Sequence, residues 1–196
     1  MTAKKRSKPL KYLATTCLVS EVSKPRQKPH VLEFIATNTF VFSAETLIDV
    51  QRGILRTSRT NPQKAAELRE WLSSVNSSWP LVTGREPEKA KLVAAMLECR
   101  ELKNIWLPQP RAAHPGFGYH VSIAAAAITY ELPLAGFGID TFLEIDRYFS
   151  LPGIFDLKDG SWRSAAIECR TVDWKQVSMQ LHRSSDGRQA YGRRAA

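Results

Sequence analysis

His120–Phe142 reads HVSIAAAAITYELPLAGFGIDTF. Val121 to Tyr130 is apolar nearly all round, the mark of a helix buried on every side rather than lying on a surface. Its run of small alanines lets such a helix lie close against a sheet. Leu132 to Phe137 then has strand character, Thr141 to Tyr148 predicts the next helix, and Gly153 to Phe155 predicts a last short strand. Strands alternating with helices imply an α/β layer with a mostly parallel sheet.

The same alternation runs upstream. Leu10 to Ala14 predicts a buried first strand, and Thr15 to Glu21 a turn into a short helix. Pro25 and Pro29 bracket a basic loop of Lys24, Arg26 and Lys28. His30 to Ala36 has helical spacing, and Thr39 to Phe42 reads as a strand. Ser43 is placed to cap a helix with Ala44, Leu47, Ile48, Gln51, Ile54 and Leu55 on one face. Asn61-Pro62 opens another, with Ala65, Leu68, Trp71 and Leu72 apolar. Val75 to Trp79 reads as a polar linker and Pro80 to Val82 as a third strand. Thr83 to Glu86 has capping-box spacing, ahead of one long helix through Leu92, Ala95, Met96, Cys99 and Leu102. Gln109 to Gly118, with two prolines and two glycines, is expected to be a loop. Pattern fails after Gly160, where a partly disordered tail is expected. The expected organisation is a basic leader (1–9), one α/β domain (10–158) and a basic C-terminal tail (159–196).

Composition narrows the class. Hydrophobic residues make up 43% of the 196, enough for a continuous core and against wholesale disorder. The longest weakly polar stretch, Val121 to Ile128, is too short for a membrane helix, and no long apolar segment follows the charged N-terminus as a secretory signal would require. Cys17, Cys99 and Cys169 are scattered without paired CxxC spacing, which argues against a zinc knuckle or a disulfide framework and for a reducing, cytoplasmic location. A net charge of +9 favours contact with polyanions, nucleic acid being the commonest. Much of that excess lies in the tails, Met1 to Lys11 and Arg183 to Ala196, and tail charge says less about a folded groove than a stripe inside the domain would. Trp71, Trp79 and Trp106 fall among apolar neighbours, so core or dimer packing outranks base stacking for them.

Three segments narrow the fold further. YLATTCLVSEVSKP (Tyr12 to Pro25) resembles the opening of PIN-domain toxins of the VapC type, where a strand ends in an aspartate before a Thr-rich turn and a Ser-Glu helix. FSAETLIDVQRGI (Phe42 to Ile54) is similar to their second block, an acid in a helix just ahead of an Arg-Gly-Ile step. His120 to Phe142 is similar to their third, where an acid opens an alanine-rich helix and an Asn or Asp follows the next strand. FSLPGIFD (Phe149 to Asp156) also resembles their closing strand, and the blocks keep order and spacing from Leu10 to Asp156. The resemblance implies a PIN-like three-layer α/β fold with a short, mostly parallel central sheet flanked by helices. It also implies Mg²⁺- or Mn²⁺-dependent cleavage of RNA, a homodimer, and a small cognate antitoxin as partner. Such a site gathers carboxylates so that their summed charge holds a hard cation, which polarises the phosphate and acidifies an attacking water.

The departures fall at the site. In the family's four acid positions this chain has Thr15, Asp49, His120 and Gly138, so one acid of four is kept. Glu21 matches a more peripheral family acid. A lone carboxylate has little of the attraction four provide, and Mg²⁺ sheds its waters reluctantly. The resemblance therefore implies a VapC-like toxin homologue on a ribonuclease scaffold with impaired catalysis; the alternative is a non-catalytic module that binds RNA or an antitoxin. Asp49 is either the last metal ligand or a solvent-facing acid beside Arg52. Thr15 suits a cap on the following helix. His120 is a general base, a transition-metal ligand or a polar cap. Glu21 is a further ligand candidate or a partner of Lys24 or Arg26. Asp140 and Glu144 lie near the expected pocket mouth; Asp140 is either an N-cap or, in a register shifted by two, the fourth acid and a metal ligand.

Overall fold

The computed structural model describes residues 10–24, 26–107 and 118–164. In chain order the elements are β1 (Lys11–Ala14), α1 (Thr16–Val22), α2 (Pro29–Thr37), β2 (Thr39–Val41), α3 (Ala44–Thr60), α4 (Pro62–Ser78) and α5 (Glu86–Glu98). One tight turn (Arg100–Leu102) leads to α6 (Lys103–Trp106), followed by α7 (Tyr119–Tyr130), β3 (Leu134–Gly136), α8 (Asp140–Asp146), β4 (Ile154–Asp156) and β5 (Ser161–Ser164). The strands form one sheet in the order β2-β1-β3-β4-β5. The first four run parallel and β5 pairs antiparallel with β4.

Alternation along the strands builds three layers. Leu13, Val41, Leu134 and Ile154 point into one core with α7, Leu92, Met96, Phe142 and Ile145. Tyr12, Ala14, Phe40, Phe42 and Ala135 point into the other with Leu18, Val50, Ile54 and Leu72. Strands buried on both faces carry apolar residues on both, which is why they read as short apolar runs. Helix α7 is buried from Val121 through Thr129, with Ser122 as the half-buried exception, and its alanines permit the close approach expected of them. The expected PIN-like α/β architecture, a mostly parallel sheet between helices, is borne out.

Several local expectations are corrected. Val75 to Ser78 is not a linker but the last turn of α4, closed by the Trp79 N–H on the Val75 carbonyl at 2.8 Å. Pro80 to Val82 makes a single parallel bridge, Phe42 with Leu81, and forms no strand of the sheet. The start of α5 has no side-chain cap, so Thr83 to Glu86 is no capping box, and the helix stops at Glu98, where Cys99 turns extended. Ile48 and Leu55 face outward (47% and 56% exposed); α3 buries Thr46, Val50 and Ile54 instead. Asp140 is the first residue of α8, with Ile139 at the cap position and no side-chain cap bond, so it does not cap that helix.

Strand β5 lies beyond the expected domain boundary at 158. Its Trp162 stacks on Tyr12 at 5.8 Å and meets Phe155 edge-on at 5.3 Å, closing the aromatic side of the second core. One strand residue anchoring an edge gives little periodic signal, which is why Ser161–Ser164 was not legible. The basic leader 1–9, residues 165–196 of the expected tail, and Gln109 to Phe117 of the expected loop lie outside the described residues.

Helix α7 ends at Glu131, a non-glycine residue at φ 55°. The Leu132 N–H reaches back to the Ala127 carbonyl at 3.0 Å, the six-to-one bond of a Schellman end that glycine makes at least strain. Glu131→Gly is therefore expected to raise stability by about 1 kcal/mol, read as a higher urea midpoint at unchanged m-value.

Candidate functional site

Parallel α/β sheets open a crevice beyond the strand ends where the chain order reverses. Here β1 connects outward to β2 on one side, while β3 flanks it on the other. The crevice therefore lies beyond Ala14 and Gly136, and Thr15 and Gly138 follow those two ends.

Thr15 is 2% exposed. Its extended backbone (φ −77°, ψ 159°) ends β1, and its Oγ1 accepts the Leu18 N–H at 3.5 Å as the cap of α1. The other side of the same hydroxyl rests on Gly136: a Cβ built there would lie 1.9 Å from Thr15 Oγ1. Thr15 is thus packed and turned to a helix end, in the capping role its position suggested. Gly138 is exposed at φ +60° with open space around it, and brings no side-chain donor there.

Helix α3 is tied to the same strand end. Ser43 accepts the Thr46 N–H at 3.2 Å as its cap. Thr46 Oγ1, fully buried, donates to the Ala14 carbonyl at 3.2 Å and meets Ser43 Oγ at 3.1 Å. Asp49 follows one turn later. Thr46 thus positions the site's acid; the Ser43-x-x-Thr46 spacing carried that signal, but a helix cap was the only reading made of it.

The Asp49 carboxylate, 29% exposed, lies 3.5 Å from Arg52 Nη1, and the Arg52 guanidinium sits over the Tyr119 ring at 5.5 Å. This carries α3 across to the first turn of α7, where His120 is the second residue. The His120 ring meets Phe142 at 5.3 Å. His120 is exposed, and partial desolvation of its ring pulls its pKa below the ordinary histidine value, with Asp49 opposing. Partial desolvation, and then Asp49, raise the pKa of the thiol of Cys17, which is exposed on α1. Asp49 therefore acts electrostatically on side chains from both α1 and α7.

Other candidates are placed elsewhere in role. Glu21 forms an ion pair with Lys24, the partner the sequence offered. Asp140 and Glu144 are exposed on α8. Among the described residues no three His, Cys, Asp or Glu side chains gather to hold a metal ion. With Asp49 the single carboxylate of the four positions, the donors present do not fit a hard divalent cation, which needs several anionic oxygens. Next to Asp49 a cavity of about 240 Å³ opens between α1, α3 and α4, lined by Thr16, Ser20, Asp49, Ile54, Leu68 and Trp71 among others. Trp79 is core, stacked on Phe40 at 4.7 Å, Trp106 packs on the first core, and Trp71 packs on the second core while also lining this cavity.

No protein-family model matches the chain, and no curated protein matches it. Solved structures do. A chain of the FitAcB crystal structure from Neisseria gonorrhoeae is 19% identical with a TM-score of 0.50, covering 69% of this chain and 93% of that one. A chain of the VapBC-1 structure from nontypeable Haemophilus influenzae is 13% identical with a TM-score of 0.52, covering 70% and 94%. No described helix is long and apolar enough to cross a membrane. At such identities the likeness is one of architecture: the chain has the PIN-like α/β fold that these two structures share.

Proposed function

We propose that this chain is a VapC-like toxin homologue of a toxin–antitoxin module, carried on a metal-dependent endoribonuclease scaffold whose cleavage is impaired. What supports the reading is that Thr15 and Gly138 follow the β1 and β3 ends, and that three of the four residues which the resemblance puts in acid positions, Thr15, Asp49, His120 and Gly138, carry no carboxylate. Mg²⁺ sheds its waters reluctantly, and one carboxylate attracts it far less than a cluster of acids does. The resemblance of three sequence blocks and the likeness to the VapBC-1 and FitAcB chains support the toxin-module part of the reading. A small cognate antitoxin is the proposed partner, with a cytoplasmic homodimer as the assembly.

The alternative is a non-catalytic module that binds RNA or an antitoxin without cutting. The cavity beside Asp49 favours retained binding over retained chemistry, because it combines hydroxyls, Trp71 and apolar side chains without an acid cluster. One experiment tests both. The purified chain is incubated with structured RNA in Mn²⁺ and in chelator, and co-purification of the small protein encoded beside its gene is scored. Stoichiometric co-purification without chelator-sensitive cleavage is expected. Cleavage that chelator stops and Asp49→Asn abolishes overturns the impairment.

A further inference from the structure

We propose that the cavity between α1, α3 and α4 binds a guanine nucleotide, with Trp71 as stacking wall, Asp49 on the base edge and Arg56 on the phosphate. This rests on reading the cavity as a retained binding site. The ligand is named by chemistry that a free nucleotide shares with an unpaired guanosine of single-stranded RNA.

One helix carries a glycine that its surroundings do not require. Gly53 lies inside α3, where glycine weakens a helix relative to alanine. A Cβ built there meets nothing within 4 Å, and its φ is not positive, so neither packing nor backbone conformation demands it. The space it leaves open belongs to the cavity, which Gly53 lines.

The walls of that space differ in chemistry. Trp71 packs on the second core while lining the cavity, which makes its ring a held flat surface of the kind on which bases stack. Asp49 lines the same space and keeps 29% of its side chain exposed, so its carboxylate is reachable from there. A carboxylate presents two acceptor oxygens and no donor. Of the four RNA bases, only guanine sets two donors side by side, N1–H and N2–H, on its Watson–Crick edge. Arg56 follows Asp49 by seven residues on α3, two turns and about 10 Å along the same face, a span suited to a base edge and its phosphate. It is exposed and forms no ion pair among the described residues. Thr16 and Ser20 add hydroxyls from α1, suited to a ribose. At about 240 Å³ the cavity is smaller than the sites of whole cofactors and takes one base, with sugar and phosphate toward its mouth.

Binding is measured in chelator by calorimetry for GMP, AMP, CMP, UMP and guanosine, and for oligo(U) RNA with and without one internal G. GMP is expected to bind about tenfold more tightly than the other three nucleotides, and Asp49→Asn to lose that preference. Arg56→Gln weakens GMP and leaves guanosine unchanged, while Trp71→Leu weakens both about tenfold. Gly53→Leu, whose side chain enters the open space, is expected to melt no lower than the unaltered chain and to lose binding. Tighter binding of the G-containing RNA than of GMP assigns the site to RNA, and the reverse assigns it to the free nucleotide. No preference for guanine, or binding that Gly53→Leu leaves intact, overturns the proposal. So does a chain blind to every nucleotide probe whose Gly53→Leu variant loses the co-purified small protein, which would give the cavity to that partner. In each of these cases the toxin-module reading stands, because co-purification scores it separately.

Discussion

The triple variant Thr15→Asp, His120→Asp, Gly138→Asn is expected to melt about 5–10 °C higher in millimolar Mn²⁺ than in chelator, while the unaltered chain melts alike in both. The magnitude follows from mass action. A cation present at a hundred times its dissociation constant adds about 2.7 kcal/mol, and a chain of this length gains a few degrees per kcal/mol. Each position has a local reason to accept the change. Asp caps a helix as well as Thr does, so the α1 end at Thr15 keeps its acceptor. Gly138 has φ +60° and open space around it, and Asn enters the left-handed region at lower cost than other side chains. His120 lies on the first turn of α7, where an acid is favoured by the helix dipole. In chelator the same variant should be less stable than the unaltered chain, because three carboxylates then face one another. The measurement is a melt in both buffers, with chelator-sensitive RNA cleavage as a second readout. A folded triple variant indifferent to Mn²⁺ would show that positions 15, 49, 120 and 138 do not converge, and the register taken from the family would fall.

Gly136→Ala should cost about 3 kcal/mol, seen as a melting temperature about 6–12 °C lower. The new methyl carbon would lie 1.9 Å from Thr15 Oγ1, 2.9 Å from its Cβ and 3.0 Å from its Cγ2. The obstructing atoms belong to a short, branched, 2%-exposed side chain at a strand end, which has no room to swing aside. Relief must come from β1 or β3, and those strands are held by the Thr15 N–H on the Ala135 carbonyl at 3.1 Å. Thr15→Ala removes two of the three clashing atoms, so the double variant should recover part of the loss, while Thr15→Ala alone costs about 1 kcal/mol as a lost cap. A thermodynamic cycle over the two sites measures this, and a coupling near zero would mean that Thr15 does not occupy the space above Gly136. The site consequence is direct. Thr15 is here part of the packing between two strands.

The architecture was legible because its signals are local. Ala124 to Ala127 read as a helix lying on a sheet, and it does. Ser43 read as a cap and accepts the Thr46 N–H. Glu21 was offered Lys24 as its partner and has it. Where the reading failed, the deciding contact lay far along the chain. Val75 to Ser78 looks like linker because three of its residues are polar, yet it faces water on one side of a helix whose other side is buried through Leu72. Trp162 gave no strand signal until Tyr12 and Phe155, distant in sequence, supplied the surface it stacks on.

That Thr15, His120 and Gly138 carry no carboxylate is a property of residue identity, and the sequence alone gives it. What the remaining groups do instead was decided by tertiary packing: Thr46 holding α3 to the end of β1, Gly136 admitting the Thr15 side chain, and Tyr119 covering Arg52 beside Asp49. These contacts join residues from different elements at separations that no periodicity encodes, because charge and volume balance only once the sheet brings those elements to one crevice.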